Sequence, residues 1–156
     1  MTYTTILLIT IASLYSGNKN VSSDLLKKTI ANTGTACEYL TADYLSTLFP
    51  GATNFKQKSS EKPYPTCSYE FEVDGISHMA RLTLAIGLGS EKNFDNAMKY
   101  QSEKELVSGV GEKAYYIVKQ NQVSAWSGKN IIHINIDNNK EASMKSANEI
   151  LDKLNN

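Results

Sequence analysis

The stretch CSYEFEVDGISHMARLTLAI, residues 67–86, decides the fold. Cys67, Tyr69, Phe71 and Val73 alternate with Ser68, Glu70 and Glu72, the period of a strand with one buried and one polar face. Asp74-Gly75 follows, and both residue types accept the positive φ that a two-residue hairpin turn requires. The turn fixes a register: Val73 opposite Ile76, Phe71 opposite His78, Tyr69 opposite Ala80, Cys67 opposite Leu82. Ile76, His78, Ala80, Leu82, Leu84 and Ile86 then share the buried face with Cys67.

Upstream, Thr35-Ala36-Cys37-Glu38 has the form of a capping box, in which the Thr and Glu side chains satisfy each other's free amides. A helix starts there, with Thr41-Ala42-Asp43 as a restart and Leu40, Tyr44, Leu45, Leu48 and Phe49 as its apolar stripe, before Pro50-Gly51 ends it. Residues 22–34, SSDLLKKTIANTG, predict a shorter amphipathic helix with Leu25, Leu26 and Ile30 on one face. Between helix and hairpin, ATNFKQKSSEKPYPT (52–66) is polar, carries two prolines and reads as an exposed loop.

Downstream of the hairpin, SEKNFDNAMKYQSEKEL (90–106) places Phe94, Ala97, Met98 and Gln101 at helical spacing, with Leu106 near its end. Strands are expected at 114–119, 123–126 and 131–136, followed by a helix over 139–154 carrying Ala147, Ile150, Leu151 and Leu154 inward. The predicted fold is α+β: an antiparallel sheet of about five strands in the order ββ-α-βββ-α. Helices pack mainly on one face, and two N-terminal helices precede the sheet.

The chain has 156 residues, 16 basic and 16 acidic, and 41% hydrophobic content, which suits one domain with a single core. Lys27-Lys28 is the only adjacent basic pair and Arg81 the only arginine, so the clustered basic face of a nucleic-acid binder is absent. Residues 6–14, ILLITIASL, match the length of a signal-peptide core and are too short to span a bilayer as a helix. A buried strand is the rival reading. Leu14-Tyr15-Ser16-Gly17 resembles the lipobox of bacterial lipoproteins with Gly17 where the lipid-bearing cysteine stands, and glycine cannot be lipidated. Residues 1–17 are therefore expected to be an export signal and 18–156 a single α+β domain, in the envelope, periplasm or secreted fraction of a bacterium.

Only Cys37 and Cys67 are present. In an exported domain such a pair is most simply a disulfide. Zinc is the alternative, and it lacks ligands: His78 and His133 are isolated, with no C-x-x-C or H-x-x-x-H spacing. No metal or other cofactor is expected.

From Cys37 onward, Cys37-Glu38-Tyr39-Leu40-Thr41, Cys67-Ser68-Tyr69 and Gly109-Val110-Gly111-Glu112-Lys113-Ala114-Tyr115 resemble a family of small bacterial envelope lipoproteins of unknown function. That family pairs a Cys-x-x-Leu-Thr helix start with a Cys-x-Trp or Cys-x-Tyr strand and a later Gly-x-Gly-[Asp/Glu]-x-Ala-Tyr element. The resemblance implies an exported, disulfide-bonded α+β domain and no chemistry.

Gly109-x-Gly111 leads into a strand, whereas a dinucleotide fingerprint opens a helix, so it reads as turn geometry. No G-x-S-x-G elbow surrounds Ser124, Ser127 or Ser143. Glu70 and Glu72 share the polar face of one strand, and His133 lies with Asn135 on a polar face. Tyr115 and Ile117 alternate out of phase with Tyr116 and Val118, so one pair faces away from a one-sided core. Tyr115, Ile117, Trp126, His133, Asn135, Glu70 and Glu72 are the expected binding surface, since Tyr and Trp combine apolar area with a hydrogen-bonding tip. The expected function is non-catalytic binding of another protein, for example by an immunity protein neutralising a secreted toxin. A small-ligand carrier or sensor is the alternative; a hydrolase would need a pocket joining Glu70 or Glu72 with His78 or His133. No nucleic acid is expected as a partner, and a membrane only through a lost or absent lipid anchor.

Overall fold

The computed structural model describes residues 35–156; the expected export signal with Gly17, and the helix expected at 22–34, lie outside them. The chain runs α1 (Ala36–Tyr39), α2 (Ala42–Leu48), β1 (Thr53–Ser60), β2 (Thr66–Val73), β3 (Ile76–Ala85), α3 (Glu91–Lys99), β4 (Lys104–Val107), β5 (Lys113–Ile117), a 3-10 turn (Val118–Gln120), β6 (Gln122–Ser127), β7 (Asn130–Ile136) and α4 (Lys140–Asn155). The strands form one antiparallel sheet in the order β1-β2-β3-β7-β6-β5-β4. Two meanders, each followed by a helix, thus meet at the β3–β7 pair.

The 67–86 hairpin has the expected register, residue for residue, from Val73 opposite Ile76 to Cys67 opposite Leu82. One face of the sheet carries Cys67, Tyr69, Phe71, Ala80, Leu82, Leu84, Val123, Ala125, Ile132, Ile134 and Ile136, all buried, beneath Ala36, Leu40, Leu45, Ala147, Ile150 and Leu151. This face we call inner. α1 packs on β2 and β3, α4 on β7 and β6, and the Cys37–Cys67 disulfide ties α1 to β2. Ile76 departs from expectation at 64% exposure, because it stands at the hairpin tip beside Asp74-Gly75.

The α+β class holds, but the sheet has seven strands rather than about five. Residues expected as an exposed loop form β1, and those expected as the end of the third helix form β4. Both are the edge strands of the sheet, and only Phe55 in β1 is partly buried, so neither shows the alternation of a half-buried strand. β1 also manages its open edge in the usual ways, with lysines and a bulge: the register shifts between Thr53 and Lys56, where Asn54 has φ 55°. α3 stops at Lys99 because Lys104 Nζ donates to the carbonyls of Met98 (2.7 Å) and Gln101 (3.3 Å), and Glu103, at φ 55°, turns the chain into β4.

The N-terminal helices are also corrected. The segment from Thr35 is two short helices. Thr35 occupies the cap position without a side-chain capping bond, so the expected capping box does not form; the buried, extended Leu40 interrupts the helix. Thr41 Oγ1 accepts from Tyr44 N at 3.0 Å and starts the second. Helices also cover both faces: α1, α2 and α4 lie on the inner face, whereas α3 lies on the outer one, where Phe94 and Met98 pack with Ile117 and Ile131, flanked by Tyr115, Trp126 and Ala85.

Candidate functional site

The outer face divides into a covered and an open half. Beneath α3 lie Tyr115, Ile117 and Trp126, three of the residues expected to form a binding surface. Ile117 is 1% exposed, and Phe94 stacks on Tyr115 with ring centroids 5.9 Å apart. Their apolar area is spent on α3. Beyond it, the strands β1, β2, β3 and β7 present Lys56, Lys58, Ser68, Glu70, Met79, Arg81, Thr83, His133 and Asn135.

Register explains this row. Arg81 stands directly across from Ser68 on β2 and from Asn135 on β7. Thr83 stands across from Thr66 and His133, and His133 from Ser124. Hydroxyls knit the lower row: Thr66 and Thr83 Oγ1 lie 3.1 Å apart, and Ser124 Oγ lies 2.9 Å from His133 Nδ1. Burial lowers the His133 pKa below its ordinary value of 6.5, since a charged imidazole loses hydration there.

Both carboxylates on the face are already satisfied. Lys58 Nζ donates to Glu70 at 2.7 Å, and that hydrogen bond lowers the Glu70 pKa. Asn54 Nδ2 donates to Glu72 at 2.7 Å. Arg81 and Lys56 have no ion pair among the described residues, and Arg81 is exposed beside Met79, itself 49% exposed. Sequence reasoning did not single out Arg81 or Met79 as site residues; the hairpin register, which points Ala80 and Leu82 inward, turns both outward.

The geometry does not assemble a hydrolytic site. Ser124 and His133 have the separation of a nucleophile and its base, but Ser124 is fully buried and accepts a bond from Gln122 Nε2 at 3.2 Å. Glu70 and Glu72 lie on β2, two strands from His133 and displaced along the sheet from Thr66, which shares its row, so more than about 15 Å away by strand spacing and rise. His78 lies on the opposite face, its Nδ1 2.6 Å from Asp137 Oδ2 and its ring against Phe49 and Phe71. Asp137, an unforeseen partner, reaches it from the turn after β7 at φ 49°.

Gly109 and Gly111 form a turn with positive φ at both positions. Together with Glu91, Leu106, Glu112 and Lys113 they line a shallow cleft of about 530 Å3. Lys113 bridges Asp95 at 2.7 Å and Glu91 at 3.4 Å. Among the described residues no group of three or more His, Cys, Asp or Glu side chains is placed to hold a metal ion, and no helix is long and apolar enough to cross a membrane. Compared with protein-family models, with curated proteins and with solved structures, the chain has no significant match.

Proposed function

We propose that this chain is a non-catalytic binding protein of the bacterial envelope or secreted fraction, and that its ligand is another protein. The observation that carries the reading is the open half of the outer face. A sheet whose inner face and half of whose outer face are sealed by helices leaves Met79 and Arg81 exposed together on β3, with Lys56 exposed two strands away across Glu70. A flat surface mixing charge with an exposed methionine has the composition of a protein interface. The disulfide supports an oxidising compartment. The lipobox-like segment and the lipoprotein resemblance support export, with Gly17 leaving no thiol for a lipid anchor. An immunity protein that plugs a secreted toxin is one concrete form of this function.

A small-ligand carrier is the second reading, favoured by the cleft at residues 106–113, whose volume falls in the range of ligand pockets. The experiment that separates the two is affinity capture on the purified chain from the lysate and secreted fraction of its source organism, followed by titration with the purified captured protein. A protein binding at one-to-one stoichiometry is the expected result. A bait that retains nothing, with small-molecule shifts around Gly109 and Gly111, turns the assignment to the carrier.

A further inference from the structure

We infer that Arg81 is the anchor of the open face and that the partner presents a carboxylate to it, from an acidic strip of protein surface. This rests on the protein-binding reading above. Three cations and two carboxylates share the face. Lys58 takes Glu70, and Asn54 takes Glu72. Lys56 stands opposite Glu70 and shares its charge, so among the described residues Arg81, on the interior strand β3, is the cation of this face left without a carboxylate, a local positive excess in a chain of zero formal net charge.

Arg81 is the chain's only arginine. A guanidinium offers a rigid fork of donors that meets a carboxylate in two parallel bonds, which a lysine cannot do. Its neighbours across the sheet, Ser68 and Asn135, are short polar side chains. Both are already bonded within the protein, Ser68 to the Lys58 carbonyl and Asn135 to Gln120 and Asn138, and neither carries a charge that competes for the guanidinium. Met79, two residues along the strand, adds exposed apolar area next to the charge. Arginine beside a desolvating apolar contact is the usual composition of an interface hot spot. A nucleic acid or an anionic membrane fits less well. Both present uniform arrays of phosphate and draw affinity from many cations, whereas here Glu70 and Glu72 line the neighbouring strand and would repel a uniform polyanion. A patterned protein surface can place an acid opposite Arg81 and neutral groups opposite the glutamates.

The test uses the full chain, labelled with 15N, titrated with a peptide that carries two glutamates set apart by neutral residues, and in parallel with a single-stranded oligonucleotide of the same charge. The expected result is saturable shifts confined to the outward residues of β1, β2, β3 and β7, weakened by about tenfold or more in Arg81→Glu. Lys129→Glu changes the net charge equally from an exposed turn outside this face, and is expected to leave the titration almost unchanged. Retention of the wild-type amide spectrum in each variant shows that the fold is intact. Equal weakening by both variants, shifts elsewhere on the molecule, or tighter binding of the oligonucleotide each overturns the inference. If a captured protein partner binds Arg81→Glu as well as wild type, this inference fails and the binding reading stands. If the peptide shifts the face as expected but no protein is captured, the chemistry of the face is upheld and the binding reading is what fails.

Discussion

Ser124 Oγ lies 2.9 Å from Nδ1 of His133 on the neighbouring strand, and the serine is fully buried. Ser124 Oγ also accepts from Gln122 Nε2 at 3.2 Å, so His133 sits in a neutral hydrogen-bonded environment with no carboxylate among the described residues against its Nδ1. Burial lowers its pKa below 6.5. The sign follows from linkage: just below 6.5 the unfolded chain takes up a proton that the folded chain refuses, so folding weakens as pH falls. The stability contributed by neutral His133 is complete above about pH 6.5 and is lost toward its folded pKa. In His133→Gln the urea midpoint is expected to vary less between pH 7 and pH 5 than in wild type. Since His78 is unchanged in both proteins, the difference between the two curves isolates His133, and superimposable curves would refute the assignment.

Tyr44 gives the opposite sign at the alkaline end. Its hydroxyl donates to Ser146 Oγ at 2.8 Å, joining α2 to α4, and burial pushes its pKa up to about 12. The neutral phenol is favoured in the fold, so its contribution is complete below pH 10 and disappears as pH rises toward 12. Tyr44→Phe removes a partner from the buried Ser146 and should cost about 1–3 kcal/mol at pH 7. It should also flatten the loss of stability between pH 10 and pH 11.5. Denaturant titrations at pH 7, 10 and 11.5 check both effects, and an unchanged midpoint at pH 7 would remove Tyr44 as a tie between the helices.

How legible the fold was depended on whether an element has two different faces. β2 and β3 alternate because one side meets α1 and α2 and the other meets solvent, and their register could be written down from Asp74-Gly75 alone. β1 and β4 were invisible for the same reason in reverse. At the sheet edges most side chains of each are exposed or only partly buried, so nothing imposes a period of two. The site divided similarly. Tyr115 and Ile117 were correctly out of phase with Tyr116, yet whether the outward pair stayed open depended on where α3 lands, a tertiary fact that no local pattern carries, and α3 covers it. Arg81 pointed outward by register and drew no notice, since an exposed basic residue is ordinary until its neighbours' carboxylates are seen to be engaged elsewhere.

Gly111 and Gly109 separate two costs that a glycine can hide. Both have positive φ, 54° and 78°. A Cβ on Gly109 meets nothing within 4 Å, whereas one on Gly111 would lie 2.7 Å from Trp126 O and 2.9 Å from Leu151 Cδ1. Gly109→Ala should therefore cost only the left-handed backbone term, about 1–2 kcal/mol. Gly111→Ala adds an overpacking term of about 1–3 kcal/mol, because the carbonyl of β6 cannot move without breaking its ladder. Thermal unfolding of the two variants side by side measures the gap, and equal losses would mean that the β6 contact relaxes freely.

The Cys37–Cys67 bridge spans a sequence separation of 30 and ties a four-residue helix to β2, the strand next to the β1 edge of the sheet. So short a helix has almost no stability of its own, and its position depends on Ala36, Leu40 and the bridge. Breaking the bridge frees the denatured chain, and for a loop of this size the chain-entropy model gives about 3–4 kcal/mol. Cys37→Ala/Cys67→Ala should lose that much in urea denaturation while retaining sheet signal in far-ultraviolet circular dichroism, because the β3–β7 pairing and α4 packing involve neither cysteine. Reductant should lower the wild-type midpoint to a similar value and leave the double variant unmoved. Two free thiols in the alkylated, unreduced protein would show that the bridge does not form, and a wild-type midpoint indifferent to reductant would show that it adds no stability.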